Sequence, residues 1–226
     1  MVMENKGKLI VIEGLDGSGK TTQWKMLKNS LTDAMFITFP DYETESGAII
    51  SRYLKGEFGE NTATTAYSAS SFYAVDRYIS CKTSWGGELE RGKNIICARY
   101  TSSNAIYQMS KLERIEWETY LDWLYDYEFN KLGLPCPALT VFLKVPLSVS
   151  RKLIQKRNAE SGESPSTDIH ERDLEFLEKC NQAAEFMAER EGWRILDCMD
   201  CNGELRNPGV LNHELANIIG ECVNGI

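Results

Sequence analysis

Glycines, a lysine and hydroxyls recur between residues 14 and 22 at a spacing that suits a polyphosphate: Gly14-Leu15-Asp16-Gly17-Ser18-Gly19-Lys20-Thr21-Thr22. The pattern is glycine, four residues, then Gly-Lys-Thr, and each part has a physical task. Gly14, Gly17 and Gly19 let the backbone curl so that successive N–H groups point inward, with Asp16 and Ser18 between them. A helix that starts here turns its positive end toward the anion. Lys20 would reach the β and γ phosphates of a nucleoside triphosphate, and the Thr21 hydroxyl would ligate the accompanying Mg²⁺. Residues Gly14 and Asp16 to Thr22 are therefore the candidate triphosphate-binding set. A glycine-rich turn can also be a bare connection. The apolar run Leu9-Ile10-Val11-Ile12 before the loop, and the amphipathic pattern from Thr22 to about Leu31 after it, favour the phosphate site.

Five apolar runs alternate with helical patterns: Lys8 to Glu13, Ala34 to Phe39, Asn94 to Ala98, Ala138 to Val145, and Trp193 to Leu196. Alternation of this kind predicts an α/β fold with a parallel sheet and helices on both faces. The runs are nearly continuous, as expected of strands buried on both sides. In such a sheet the site lies at the carboxyl ends of the strands. That draws attention to Pro40 to Tyr42, to Arg99 to Tyr107, and to the stretch after Val145. A long helix is predicted between Asn61 and Trp85, with core packing the reason for Phe72, Val75 and Ile79. The aromatics from Lys111 to Asn130 predict a core-facing helix. Arg151 to Arg157 reads as a basic helix, and the small polar residues 158–166 as a mobile loop.

The chain has 226 residues, 42% hydrophobic and 26% charged, which suits one domain over residues 1–226. No apolar stretch approaches the roughly 18 residues of a membrane span, and the first residues lack a signal peptide's apolar segment. A cytoplasmic protein with no membrane partner is expected. A net charge of −8 argues against nucleic acid as a partner. Seven scattered cysteines suit reduced thiols, and Cys198-x-x-Cys201 lacks the second ligand pair of a zinc site. A phosphate loop alone leaves the reaction open, since motors, GTPases and kinases share it. The Asn-Lys-x-Asp motif of GTPases is missing.

Further motifs in order along the chain are Phe39-Pro40, Tyr73-Ala74-Val75-Asp76-Arg77, and Arg99-Tyr100-Thr101-Ser102-Ser103-Asn104-Ala105-Ile106-Tyr107-Gln108. With the phosphate loop, and with Leu121 to Tyr125 and Leu134-Pro135-x-Pro137, they closely resemble the thymidylate kinases in order and spacing. The resemblance implies a P-loop NTPase-type fold with a five-stranded parallel sheet and a short mobile lid over about residues 151–170. It implies transfer of the ATP γ-phosphoryl group to dTMP, giving dTDP, and a homodimer. Lys20, Arg99 and Arg157 become the catalytic candidates. Lys20 would hold the γ-phosphoryl group, Arg99 would clamp the acceptor phosphate, and Arg157 in the lid would supply a cation that the loop lacks at Gly17. Tyr73 or its neighbour Phe72 would stack on thymine, with core packing the alternative for either ring. Arg77 and Asn104 match positions that hydrogen-bond the pyrimidine, and Tyr107 the one that crowds the sugar. An exposed salt bridge is the other reading of Arg77, and a solvated helix face that of Arg157.

Four positions depart from the family pattern. Ala98 stands where an acid usually precedes Arg99, which removes a carboxylate from the neighbourhood of the metal and predicts slowed turnover. Asp41 stands where many relatives carry an arginine, although Tyr42 keeps a hydroxyl toward the acceptor phosphate. Ala138 and Lys144 replace usual acids. A weakened nucleotide-binding protein, or a kinase of another pyrimidine nucleoside or nucleotide, are the alternatives these departures leave.

Overall fold

The structure is a computed structural model and describes residues 6–59, 64–161 and 174–225. Strands β1 (Leu9–Glu13), β2 (Met35–Thr38), β3 (Ile95–Ala98), β4 (Leu139–Lys144) and β5 (Arg194–Asp197) form one parallel sheet in the order β2-β3-β1-β4-β5. β1 is central and buried at every position, with Ile12 level with Ala98 on one side and Val141 on the other. Strands that must be covered on both faces carry apolar side chains without alternation, as β1 and β3 do. At the sheet edges β2 is only partly buried and β5 exposes Arg194, Ile195 and Asp197, so the expectation of burial on both sides holds for the inner strands alone.

The helices follow in chain order. The first three are α1 (Lys20–Ser30), α2 (Glu45–Leu54) and α3 (Ala66–Ser80). Then come α4 (Gly86–Glu90), α5 (Thr101–Tyr107) and α6 (Trp117–Tyr125). The last three are α7 (Leu147–Ser161), α8 (Leu174–Arg190) and α9 (Pro208–Asn224). On one face of the sheet Ile10, Ile12 and Leu143 pack with Leu27 of α1 and with Leu215 and Ile218 of α9. On the other, Leu9, Val11 and Cys97 pack with Trp85 and with Leu89 of α4. Odd and even positions of β1 thus enter two separate cores, one for each face.

Three expectations need correction. Core packing does not account for all of the apolar stripe on α3, because Val75 is 41% and Ile79 42% exposed. Their spacing does put them on one helix face, but the described chain covers that face only in part. The stretch from Lys111 to Asn130 is not one helix. It is broken into 3-10 turns, α6 and a π-helical segment Asp126–Lys131, while Trp117, Tyr120, Leu121 and Leu124 do enter a core. Finally, α7 runs on to Ser161, so residues 158–161 are helical rather than loop. The remainder of the expected lid, residues 162–170, lies outside the described residues, as does the side chain of Arg157.

Candidate active site

The turn after β1 is shaped by its glycines. Gly14, Gly17 and Gly19 have φ of 156°, 77° and 84°, in the region that side-chain-bearing residues rarely enter. Gly19 caps α1, no side chain caps that helix, and its first turn holds no acid. The helix therefore offers its N–H groups and the positive end of its dipole to an outside anion. Lys20 is buried, and its ammonium donates to the carbonyls of Gly14 (2.6 Å) and Leu15 (2.7 Å), with Ser18 Oγ at 3.4 Å. Burial, helped by the nearby Arg99 guanidinium, lowers its pKa to about 7 against the pull of Asp16 and Glu13. A buried cation resting on neutral oxygens at the end of an uncapped helix suits a polyphosphate. Thr21 and Thr22 sit exposed in the first turn, where Thr21 can turn its hydroxyl toward a cation held by that phosphate.

Gly17 has a second constraint. A Cβ built on it would lie 2.4 Å from the carbonyl oxygen of Ser150 in α7. The loop and the lid helix touch through backbone, and an arginine at 17 has no room here. Arg157 stands seven residues further along α7, roughly 10 Å at the helical rise.

Beside the loop, at the carboxyl ends of β1 and β3, lies a cavity lined by Asp16, Tyr42, Tyr73, Arg77, Arg99, Asn104 and Tyr107 among others. These are substrate-site candidates of the sequence; Phe72 is the candidate that falls outside, packed against Tyr53 and Phe58. Asp16 joins the two sites. Its carboxylate accepts from Arg99 Nη2 and from the Tyr107 hydroxyl (3.0 Å), and Arg99 also stacks on the Tyr107 ring. Arg99 has φ 66°, a strained value for an arginine, held by its backbone N–H bond to the Ile12 carbonyl. Asp41 is not part of the lining; its Oδ1 accepts from the Glu43 N–H instead.

Arg77 is not an exposed salt bridge. It is 1% exposed and donates to both carboxylate oxygens of Glu128, itself fully buried. Burial opposes the charge on Arg77, but the Glu128 carboxylate outweighs it and raises its pKa.

Sequence reasoning missed three residues. Glu128 lay hidden among aromatics. Glu13, fully buried at the end of β1, accepts from the Gly14 N–H and from the hydroxyls of Ser102 (2.7 Å) and Ser103 (2.8 Å). A charge closing an apolar run was its signal. Gln108 lines the cavity, 1% exposed, and its Oε1 is buried without a partner among the described residues, so a ligand donor would satisfy it. It is the last letter of the Arg99 motif.

A parallel sheet with a phosphate loop after its central strand and a polar cavity beside that loop defines a P-loop nucleotide-binding protein. Residues 12–206 match the family model of thymidylate kinase. The chain is 31% identical over 195 residues to a thymidylate kinase of Mycobacterium tuberculosis, covering 83% of this chain and 89% of that one. A thymidylate kinase of Dictyostelium discoideum is 29% identical, with 91% and 84% covered. Among solved structures, a thymidylate kinase from Candida albicans matches with a TM-score of 0.69 at 25% identity, covering 95% of this chain and 92% of that one. The chain belongs to the thymidylate kinase family.

The contact between loop and lid helix is directly testable. Gly17→Ala places a methyl against the Ser150 carbonyl at a positive φ, a strain of about 1–3 kcal/mol. ATP affinity measured by calorimetry is expected to fall about tenfold or more, and an unchanged affinity would show that the loop does not press on α7.

Proposed function

We propose that this protein catalyses ATP-dependent phosphorylation of dTMP to dTDP, as an enzyme of nucleotide biosynthesis acting in the cytoplasm. Membership of the family supports the reaction, and one observation about this chain carries it furthest. The phosphate loop and the arginine-lined cavity meet at Asp16, which belongs to the loop and contacts Arg99 and Tyr107.

Two polyanions must be brought in line despite their repulsion, so the work falls to fixed cations and donors. Lys20 and the N–H groups from Gly14 to Thr22 would hold the triphosphate of ATP. Mg²⁺, when bound, would neutralise charge on the β and γ phosphates, with the Thr21 hydroxyl among its ligands. Arg99, oriented by Asp16 and Ser103, would hold the phosphate of dTMP, with the Tyr42 hydroxyl beside it. Tyr73, which lines the cavity, would stack on thymine, Arg77 and Asn104 would meet the base edge, and Tyr107 would crowd the 2′ position. Arg157 would complete the charge on the transferring group from α7, which Gly17 keeps close. Ala98 leaves β3 without a strand-end acid, and turnover is accordingly slowed. The exposed stripe of Val75, Tyr78 and Ile79 on α3 supports a homodimer packed through helices. Light scattering is expected to give twice the chain mass, and Ile79→Asp a single one; an unaltered dimer in that variant would rule out this face.

An acceptor screen tests the activity: dTMP, dUMP, dCMP, UMP and thymidine with ATP and Mg²⁺. dTMP is expected to give the highest kcat/KM, and Ala98→Asp to raise its kcat about tenfold or more. Failure of all acceptors in both proteins would end the proposal. Binding should also depend on pH. Burial holds the Lys20 pKa at about 7, and contact with a phosphate would raise it, so ATP binding is expected to take up a proton above that pH. Between pH 7 and 9 the Kd for ATP is expected to rise, by up to about tenfold per unit. Calorimetry in buffers of different ionisation enthalpy would read the proton uptake, and none at pH 8 would contradict the lowered pKa of Lys20.

A further inference from the structure

Glu128 sits on the π-helical turn after α6, fully buried, and receives four hydrogen bonds. Arg77 Nε donates to Oε2 (2.7 Å) and Arg77 Nη2 to Oε1 (2.5 Å). Thr101 Oγ1 donates to Oε2 (2.7 Å) and Asn104 Nδ2 to Oε1 (3.0 Å). The second hydrogen of Asn104 Nδ2 goes to the carbonyl of Ser70 (3.2 Å). A carbonyl and a carboxylate can only accept, so both neighbours demand the nitrogen of this amide and repel its oxygen. Asn104 therefore cannot turn over, and Oδ1 is the part of the amide left for the cavity it lines. Arg77 is fixed by the same carboxylate through one edge of its guanidinium. Its Nη1 approaches the Tyr100 carbonyl (3.4 Å), and N–H donors remain for the cavity.

We propose that Glu128 is a positioning residue that sets base specificity by locking the Asn104 amide and the Arg77 guanidinium as an acceptor beside a donor. The inference rests on the proposed dTMP kinase reading and deepens it. A 4-keto pyrimidine offers an N3–H donor and an O4 acceptor, the complement of that pair. Cytosine offers an acceptor at N3 and a donor at N4, so both contacts oppose. A site built on buried hydrogen-bonding groups rejects a mismatched edge strongly, by about 10³-fold or more. Glu128 needs no contact with substrate for this role.

The experiment compares kcat/KM for dTMP and dCMP in the wild type and in Glu128→Gln, whose amide nitrogen removes one of the two constraints on Asn104. The dTMP:dCMP ratio is expected to fall about tenfold or more in the variant. Equal loss on both substrates would mark Glu128 as merely structural and overturn the proposal. A measurement on the wild type covers a variant that fails to fold. With ¹⁵N-labelled asparagine, both Asn104 side-chain amide protons are expected to exchange slowly with solvent, before and after dTMP is added. Rapid exchange of either would show that the amide is not locked. Wild type that phosphorylates dCMP as well as dTMP would sink the lock and leave the kinase reading intact. Wild type that phosphorylates neither would sink the kinase reading, while the exchange measurement still decides the lock.

Discussion

A carboxylate with no access to water must be surrounded by donors, and the acceptor side of this cleft is arranged around that requirement at Glu128. Its four hydrogen bonds join α3, α5 and the turn after α6, three elements far apart in sequence. Removing either charge of the Arg77–Glu128 pair would strand the other, which costs about 3–5 kcal/mol. Such a pair is a poor source of net stability but a strong source of geometry. It dictates which atoms of Arg77 and Asn104 are left facing the cavity.

The donor side obeys a different constraint, close approach of backbones. Gly17 admits the Ser150 carbonyl, so the start of α7 rests on the phosphate loop. Where the loop has no side chain, the backbone of α7 comes within contact of it. The two sides meet at Asp16, whose carboxylate holds Arg99 and Tyr107 while its backbone belongs to the loop. Glu13 anchors the same junction from below, tying the loop's first N–H to the serines that open α5. Three acids thus tie the loop and the cavity together, each accepting from two or more donors.

Much of this was legible in the sequence because the physics is local. Strands covered on both faces announce themselves by unbroken apolar runs, and the loop by glycines that must take positive φ. Other features depend on neighbours that no pattern displays. Periodicity put Val75 and Ile79 on one face of α3, but it does not tell whether the same chain covers that face. Phe72 and Tyr73 point about 100° apart on α3 and both touch Tyr53, but Phe72 turns toward Phe58 while Tyr73 lines the cavity, a difference set by neighbours distant in sequence. Glu128 was invisible because a π-helical turn shifts the register of the helix there, so α-helical spacing from α6 does not apply. For want of that partner, an exposed salt bridge stood as the alternative for Arg77 beside its role at the base.

The central claim is that donor and acceptor phosphates are held in one cleft and exchange a phosphoryl group directly. Phosphorus NMR of the protein with ATP, Mg²⁺ and dTMP tests it most directly. The account predicts that dTDP and ADP appear in equal amounts with no inorganic phosphate ahead of them. ATP consumed to ADP and inorganic phosphate while dTMP stays unchanged would contradict it.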